Sequence, residues 1–244
     1  SKIHGRIFIS NAHPVKTLAM TESGLIKPLY RNRLKSLENS VSSFSLHLVL
    51  KKNQVPYQKK NYYFHKTGHI WDMTEHTDDN WPLGYAVYFN ADPDNREFAS
   101  GISILTYMRY KEVEPWSQTF NTTLHEVERG EDYESFKKSK ADKLINLVSE
   151  RFPELKNSIQ ACYSATPLTF RDYIGSDDGS MYGIVKDCRD FYKTFLSPRT
   201  KIPNLYLTGQ NLNLHGILGA AMSGLVTCTA IMGNENIIDK IKNA

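Results

Sequence analysis

The 244-residue sequence predicts an α+β fold, in which a mostly antiparallel mixed sheet is accompanied by helices. Three observations carry that reading. Phe44, Leu46, Leu48 and Leu50 alternate with Ser45, His47 and Val49, the period of two expected of a strand with one buried face. Apolar runs at 84–90 and 100–110 are separated by the turn cluster Asp92-Pro93-Asp94-Asn95, a connection short enough for antiparallel neighbours. From Glu131 to Arg151, by contrast, Tyr133, Phe136, Leu144, Leu147 and Val148 recur at spacings of three and four, and Pro153 follows, as at the end of a helix.

The remaining elements follow in chain order. Ile7-Phe8-Ile9 predicts a short buried strand ending at Ser10-Asn11-Ala12. His13-Pro14 opens a helix, with proline in the first turn, where its missing N–H costs nothing. A second helix is predicted over 28–39, and a further strand over 62–65. Thr166-Pro167 starts another short helix with a cap residue and a first-turn proline. Residues 204–208 predict a buried strand broken by Gly209, and a long apolar helix runs over 216–232 with a closing turn after Gly233. The nineteen residues 215–233 carry no formal charge and approach membrane-spanning length. Their richness in Gly, Ala, Ser and Thr favours close backbone packing in a core over contact with lipid. No internal repeat or low-complexity segment interrupts the chain.

Composition bounds the class. With 40% apolar and 23% charged residues, the chain excludes collagen, coiled-coil arrays and intrinsic disorder. Three cysteines without a CxxC argue against a disulfide framework or thiolate zinc site, and favour a reducing, cytoplasmic compartment. The first residues lack the apolar run of a signal peptide, and the start at Ser1 leads us to expect a processed or excised piece. The net charge of +4 hides a strong asymmetry: residues 1–66 hold twelve Lys/Arg against two Asp/Glu, and residues 67–135 hold four against fourteen. Mutual compensation of these segments is the expected reading. The alternative is a basic face for an anionic membrane surface; no dense Lys/Arg run points to nucleic acid.

The most informative stretch is Leu205-Tyr206-Leu207-Thr208-Gly209-Gln210-Asn211, then His215-Gly216-Ile217-Leu218-Gly219-Ala220-Ala221-Met222-Ser223-Gly224. A strand ends in glycine, a polar loop follows, and a helix begins at a second glycine. Glycines let a backbone approach a flat ligand, and a helix start offers free N–H groups with partial positive charge. Such an end favours an anion, whether a phosphate or a reduced cofactor ring. The same small residues also suit a stripe packed on a sheet, and spacing alone leaves both readings open.

Residues 205–224 resemble the C-terminal flavin signature of the phytoene desaturase, carotenoid isomerase and retinol saturase family of FAD-dependent oxidoreductases, part of the amine oxidase superfamily. Ala165-Thr166-Pro167-Leu168-Thr169-Phe170-Arg171-Asp172-Tyr173 and Gly179-Ser180-Met181-Tyr182-Gly183 resemble the segment before that signature, and Phe8-Ile9-Ser10-Asn11-Ala12 resembles the strand-end motif where the chain re-enters the substrate domain. The retinol saturase-like proteins are the nearest subgroup. The resemblance implies a Rossmann-type C-terminal strand and helix of an FAD-binding domain attached to the antiparallel substrate domain. In this division, residues 1–13 are a returning segment of the FAD domain, 14–198 the substrate domain, with its end falling between 160 and 198, and 199–244 the C-terminal part of the FAD domain. It further implies FAD as cofactor, with NAD(P) as an optional second redox partner, and cofactor contacts at Gly209, Gln210, Asn211, Gly216, Ile217, Leu218, Gly219 and Ala220. Gln210 departs from the wider pattern, in which an acidic residue contacts the ribityl-phosphate part; an amide still offers hydrogen bonds there.

The family's G-x-G-x-x-G turn, which seats the cofactor pyrophosphate, has no counterpart: none of the fourteen glycines stands two residues from another. The chain therefore reads as a C-terminal half, inactive alone, whose partner is the N-terminal Rossmann half of the same protein. The implied substrate is an apolar polyene or isoprenoid whose carbon–carbon bond exchanges a hydride with the flavin, in a tunnel lined by aromatic and aliphatic side chains. A redox-neutral isomerase and a non-catalytic apolar-ligand or membrane-surface protein are the alternatives, and peripheral membrane contact is an optional further partnership.

Other chemistry-bearing residues carry plainer expectations. His65, His69, His76 and Asp72 read as ordinary surface or core residues before they read as a metal site. Asp177-Asp178-Gly179 lacks the later ligands of a calcium loop and reads as a turn. His215, just before the long helix, is the candidate proton donor, with a capping role as its alternative. Arg171 and Asp172 predict a surface ion pair, and Cys228 a small buried filler in the last helix. No Ser-His-Asp spacing or phosphate loop supports hydrolysis or kinase chemistry.

Overall fold

A computed structural model describes residues 4–233 and 237–243. The chain divides into two compact units, one formed by residues 41–173 and the other by 1–40 with 174–244.

In the unit 41–173, five strands form one antiparallel sheet in the order β3-β4-β5-β2-β6, with β2 at Ser42–Leu50, β3 at Tyr62–His65, β4 at Gly84–Ala91, β5 at Ala99–Met108 and β6 at Ile159–Ala165. The alternation seen in the sequence sets its register. Leu46 stands opposite Ile104, and Leu48 opposite Ile102, which places the large side chains of both strands on one face. That face packs against helix α3, Glu131–Ser149, through Tyr133, Ala141, Leu144 and Val148. Glu131, Asp132 and Glu134 sit in its first turn, where negative charge suits the helix dipole. The edge strand β6 was missed by the sequence reading. It pairs with β2 alone, and its burial follows no clean alternation, so period two is faint there. Helix α4, Pro167–Ile174, begins as predicted: the Thr166 hydroxyl accepts the N–H of Leu168.

In the other unit, β1 at Phe8–Ser10 and β7 at Leu205–Leu207 form a two-stranded parallel sheet. Around it lie α1 (Pro14–Ala19), α2 (Pro28–Lys35), α5 (Phe191–Thr194), α6 (Gly216–Met232) and α7 (Ile237–Lys242). Leu18, Ile26, Leu34, Ile184, Leu196, Leu207 and Leu212 make its core. Two expectations change here. The first strand lies one residue later than predicted and is not buried: Ile7, Phe8 and Ile9 are exposed, because β1 has a partner on one side only. The second helix ends at Lys35 rather than 39, since Asn39 instead bridges to Ile184. Among the described residues, no helix is long and apolar enough to cross a membrane.

Candidate functional site

The site grows from the end of β7. Helix α6 packs on that strand through Gly219, Ser223 and Thr227, one residue per turn, and Thr227 Oγ1 donates to the carbonyls of Leu207 (3.0 Å) and Ser223 (2.8 Å). A Cβ on Gly219 would lie 2.1 Å from the Leu214 carbonyl oxygen, so the first turn approaches its own loop this closely only with glycine. The larger side chains point away: Ile217 is 93% and Leu218 71% exposed, and Met222 and Cys228 are exposed as well. This corrects the expectation that Cys228 is a buried filler and that the helix lies inside a core. A stripe one residue wide buries one side of a helix and leaves the rest open. His215 precedes the first turn and makes no side-chain capping bond.

Between β7 and α6 the chain turns at Gly209, whose φ of 93° places it in the left-handed region. A Cβ there would fall 1.9 Å from Asn11 Oδ1, so the backbone favours glycine and any other residue would also displace the Asn11 side chain. The Leu212 N–H closes the turn on the Gly209 carbonyl at 3.2 Å.

A second segment, residues 181–186, braces this turn along its length. Gln210 Nε2 donates to the Met181 carbonyl (3.0 Å), and the Ile184 N–H donates to Asn211 Oδ1 (3.1 Å). His215 Nε2 donates to the Ile184 carbonyl (2.8 Å), and its ring stacks on Tyr182. Lys186 Nζ donates to the carbonyls of Asn211 (2.7 Å), Leu212 (3.1 Å) and Thr194 (3.3 Å). Burial away from water pushes the Lys186 ammonium down to about 8. The bracing segment is itself fixed on its other side, where Ser40 N–H donates to the Gly183 carbonyl (2.7 Å) and Val185 N–H to the Glu38 carbonyl (2.9 Å).

These bonds decide which predicted groups remain available. Gln210 keeps its amide oxygen, Asn211 its amide nitrogen and His215 its Nδ1. With Nε2–H committed to a carbonyl, neutral His215 presents Nδ1 as an acceptor; it donates a proton from that atom only as imidazolium.

A cavity of about 290 Å³ adjoins the turn, lined among others by Asn11, His13, Ser180, Gln210, Asn211 and Ala220. His13 spends both ring nitrogens within the chain, accepting the Val15 N–H and bonding Asn39 Oδ1, and burial lowers its pKa. The buried Ser180 Oγ has no hydrogen-bond partner, and neither does Asn213 Oδ1 in the loop before α6. Orphaned buried polar atoms of this kind call for a ligand or water. The polar groups on the cavity comprise side-chain amides and a hydroxyl without a partner. Hydrogen-bonding groups of this kind suit a hydroxylated ligand, and about 290 Å³ admits part of a nucleotide-sized molecule. Gly209, Gln210, Asn211, Gly219 and Ala220 thus gather around the turn. Gly216, Ile217 and Leu218 stand on the open first turn of α6.

The other candidates resolve individually. Arg171 and Asp172 form no surface pair. The Asp172 carboxylate is fully buried, contacting Arg129 and Arg171 (Nε at 2.7 Å) and accepting the Asn121 N–H at 2.9 Å. The arginine that buries it, Arg129, lies too far along the chain for sequence spacing to reveal. Asp178 Oδ1 accepts the Ser180 N–H (3.2 Å), and Asp177 pairs with Lys16, so 177–179 forms a turn. His65 lies against Met73, and His76 pairs with Glu112; among the described residues, no group of three or more His, Cys, Asp or Glu is placed to hold a metal. Of the ion pairs, Lys52–Asp94 links the basic first quarter to the acidic segment. Lys186 and Ser180 were absent from the sequence-based site. Lys186 stands in Lys186-Asp187-Cys188-Arg189-Asp190, which reads as solvated surface, and no local signal marks it.

Comparison with known proteins adds an independent line. No family model matches the chain. Human all-trans-retinol 13,14-reductase is 31% identical over 118 residues, which is 47% of this chain and 19% of that protein. The rat protein of the same name is 25% identical over 249 residues, covering 94% of this chain and 40% of that protein. The chain is similar to retinol saturases. It spans between a fifth and two-fifths of the length of these two relatives. A zebrafish protein named as an inactive all-trans-retinol 13,14-reductase is 29% identical over 160 residues, or 63% of this chain.

Proposed function

We propose that this chain contributes the C-terminal cofactor turn and an antiparallel substrate domain to an FAD-dependent oxidoreductase that reduces a carbon–carbon double bond of a retinoid-like polyene. The observation that carries this reading is the similarity to rat all-trans-retinol 13,14-reductase along 94% of the chain, which includes the braced turn at Gly209–His215. Bound FAD would supply a two-electron hydride donor. The chain's own residues would bind and orient it: Gly209 admits close approach, Gln210 Oε1 and Asn211 Nδ2 offer hydrogen bonds, and the start of α6 favours negative charge. His215 would be the proton donor, through the Nδ1 that its bond to the Ile184 carbonyl leaves free. No G-x-G occurs in the sequence, so the pyrophosphate-binding turn is assigned to a separate Rossmann half of the same protein, against which β1, β7 and α6 complete the fold.

Native mass spectrometry of the protein together with its dinucleotide-binding half tests the cofactor, and incubation with all-trans-retinol under reducing conditions tests the reaction. One FAD per assembly and a product two hydrogens heavier are expected. A product of unchanged mass would replace reduction by isomerisation, and one two hydrogens lighter would replace it by desaturation. An assembly that retains no FAD would overturn the flavin reading. A non-catalytic reading has one observation in its favour, the similarity to a relative named as inactive; flavin binding without any product would support it.

A further inference from the structure

Lys186 is the one charged side chain in the brace behind the turn, and its surroundings are unusual for a lysine. Its three ammonium bonds end on three backbone carbonyls, those of Thr194, Asn211 and Leu212. Among the described residues it forms no ion pair. A half-buried cation without a counter-charge is held at a cost to folding, which its lowered pKa reflects. A neutral donor would hold the same carbonyls without that cost. The place of the charge is equally specific. Two of its three acceptors belong to the turn Gly209–Leu212, whose remaining polar atoms border the cavity with the partnerless Ser180 hydroxyl.

We propose that Lys186 is a positioning residue for the cofactor, which fixes the Gly209–Leu212 turn through its carbonyls and supplies the positive charge that an anionic part of the flavin nucleotide requires. This rests on the flavin reading above. The role is indirect, because the ammonium points at backbone and acts through the turn. The favoured charge is borne either by the phosphate groups or by the reduced ring, and the two differ in what they predict for the oxidised and reduced cofactor.

The test compares wild type, K186M, K186R and K186Q in the flavin-binding assembly, measuring the dissociation constant for FAD by flavin fluorescence and the flavin midpoint potential by spectroelectrochemistry. Thermal unfolding without FAD serves as the folding control. K186M should bind FAD roughly tenfold more weakly, through a loosened turn and the loss of a nearby positive charge, and K186R should recover most of the affinity. K186Q, which keeps a donor but no charge, should resemble K186M in affinity while keeping the turn folded. A loss shared equally by oxidised and reduced FAD assigns the effect to the phosphates. A lowered midpoint potential assigns it to the reduced ring. If wild type retains FAD and K186M and K186Q bind it equally well at unchanged potential, the proposal fails while the flavin reading stands. If wild type itself binds no FAD, the flavin reading fails first, and this inference falls with it.

Discussion

The His76 imidazole and the Glu112 carboxylate meet at 2.6 Å, with side chains 1% and 10% exposed. Glu112 also accepts the Arg109 N–H at 3.0 Å and lies 3.4 Å from Lys140 Nζ. Burial alone would push the carboxyl up. The hydrogen bonds from His76 and the Arg109 backbone, with the nearby positive charge, outweigh burial and hold it down to about 2. Unfolded, the same group titrates near 4.5. A carboxyl depressed on folding contributes stability that is complete above the unfolded value and is lost as pH falls towards the folded one. Glu112→Gln should therefore cost about 2 kcal/mol at pH 7 and much less near pH 2. Urea unfolding of both proteins across that range checks this; an equal cost at both pH values would remove the ionic role of Glu112.

A larger loss is expected at Asp172. Its fully buried carboxylate serves Arg129 and Arg171, and Arg171 in turn donates to the carbonyls of Ser117 (2.6 Å) and Thr119. Removing the carboxylate with Asp172→Ala leaves two guanidinium groups buried without their partner, at about 3–5 kcal/mol. Amides over 117–121 should then exchange faster, since the Asn121 N–H loses its acceptor. A cost below about 1 kcal/mol would mean that water replaces the carboxylate there.

Those two clusters also mark where the sequence stops being informative. Strand β2 and helix α3 were legible because Phe44–Leu50 and Tyr133–Val148 repeat at the periods of their structures. Helix α6 begins and ends where its glycines suggested. Strand β6 was not legible, because an edge strand with one partner need not alternate. Burial was misread wherever it depends on distant residues. Arg171-Asp172 looks like a surface pair until Arg129 closes over it, and Ile7–Ile9 looks like a core strand until β1 proves to have one neighbour. Of the candidate site, the turn was visible in Gly209-Gln210-Asn211 and the helix start in His215-Gly216. The brace was hidden, because Met181 and Ile184 meet the turn through their own backbone atoms and the Lys186 ammonium ends on backbone carbonyls, contacts that carry no signature in sequence.

Gly209 offers a test in which two causes separate. Gly209→Ala places a methyl group against Asn11 Oδ1 and also forces an L residue to a φ of 93°. Together these should cost about 2–4 kcal/mol. Shortening the neighbour with Asn11→Ala removes the collision and leaves the backbone strain. The double variant should recover part of the loss and retain about 1–2 kcal/mol of it. Thermal unfolding of the four members of this cycle gives the coupling. Complete recovery in the double variant would show that strain at this φ is relieved by a shift of the turn.

Ile217 and Leu218 stand on the first turn of α6 with 93% and 71% of their surfaces exposed, yet both are large and apolar. Such exposure leaves them little packing against the described residues of this unit. Ile217→Ser with Leu218→Ser should leave the unfolding free energy within about 0.5 kcal/mol of wild type, the range of ordinary surface changes. If the first turn faces the flavin, the same double variant should weaken flavin retention several-fold. A variant that loses stability instead would place these side chains in a packing role within the chain. One unchanged in both measurements would remove the first turn of α6 from the proposed cofactor site and leave the turn at Gly209–Asn211 as its remaining candidate. Because the stability and binding readouts move independently, this pair separates a face that binds from a face that is only bare.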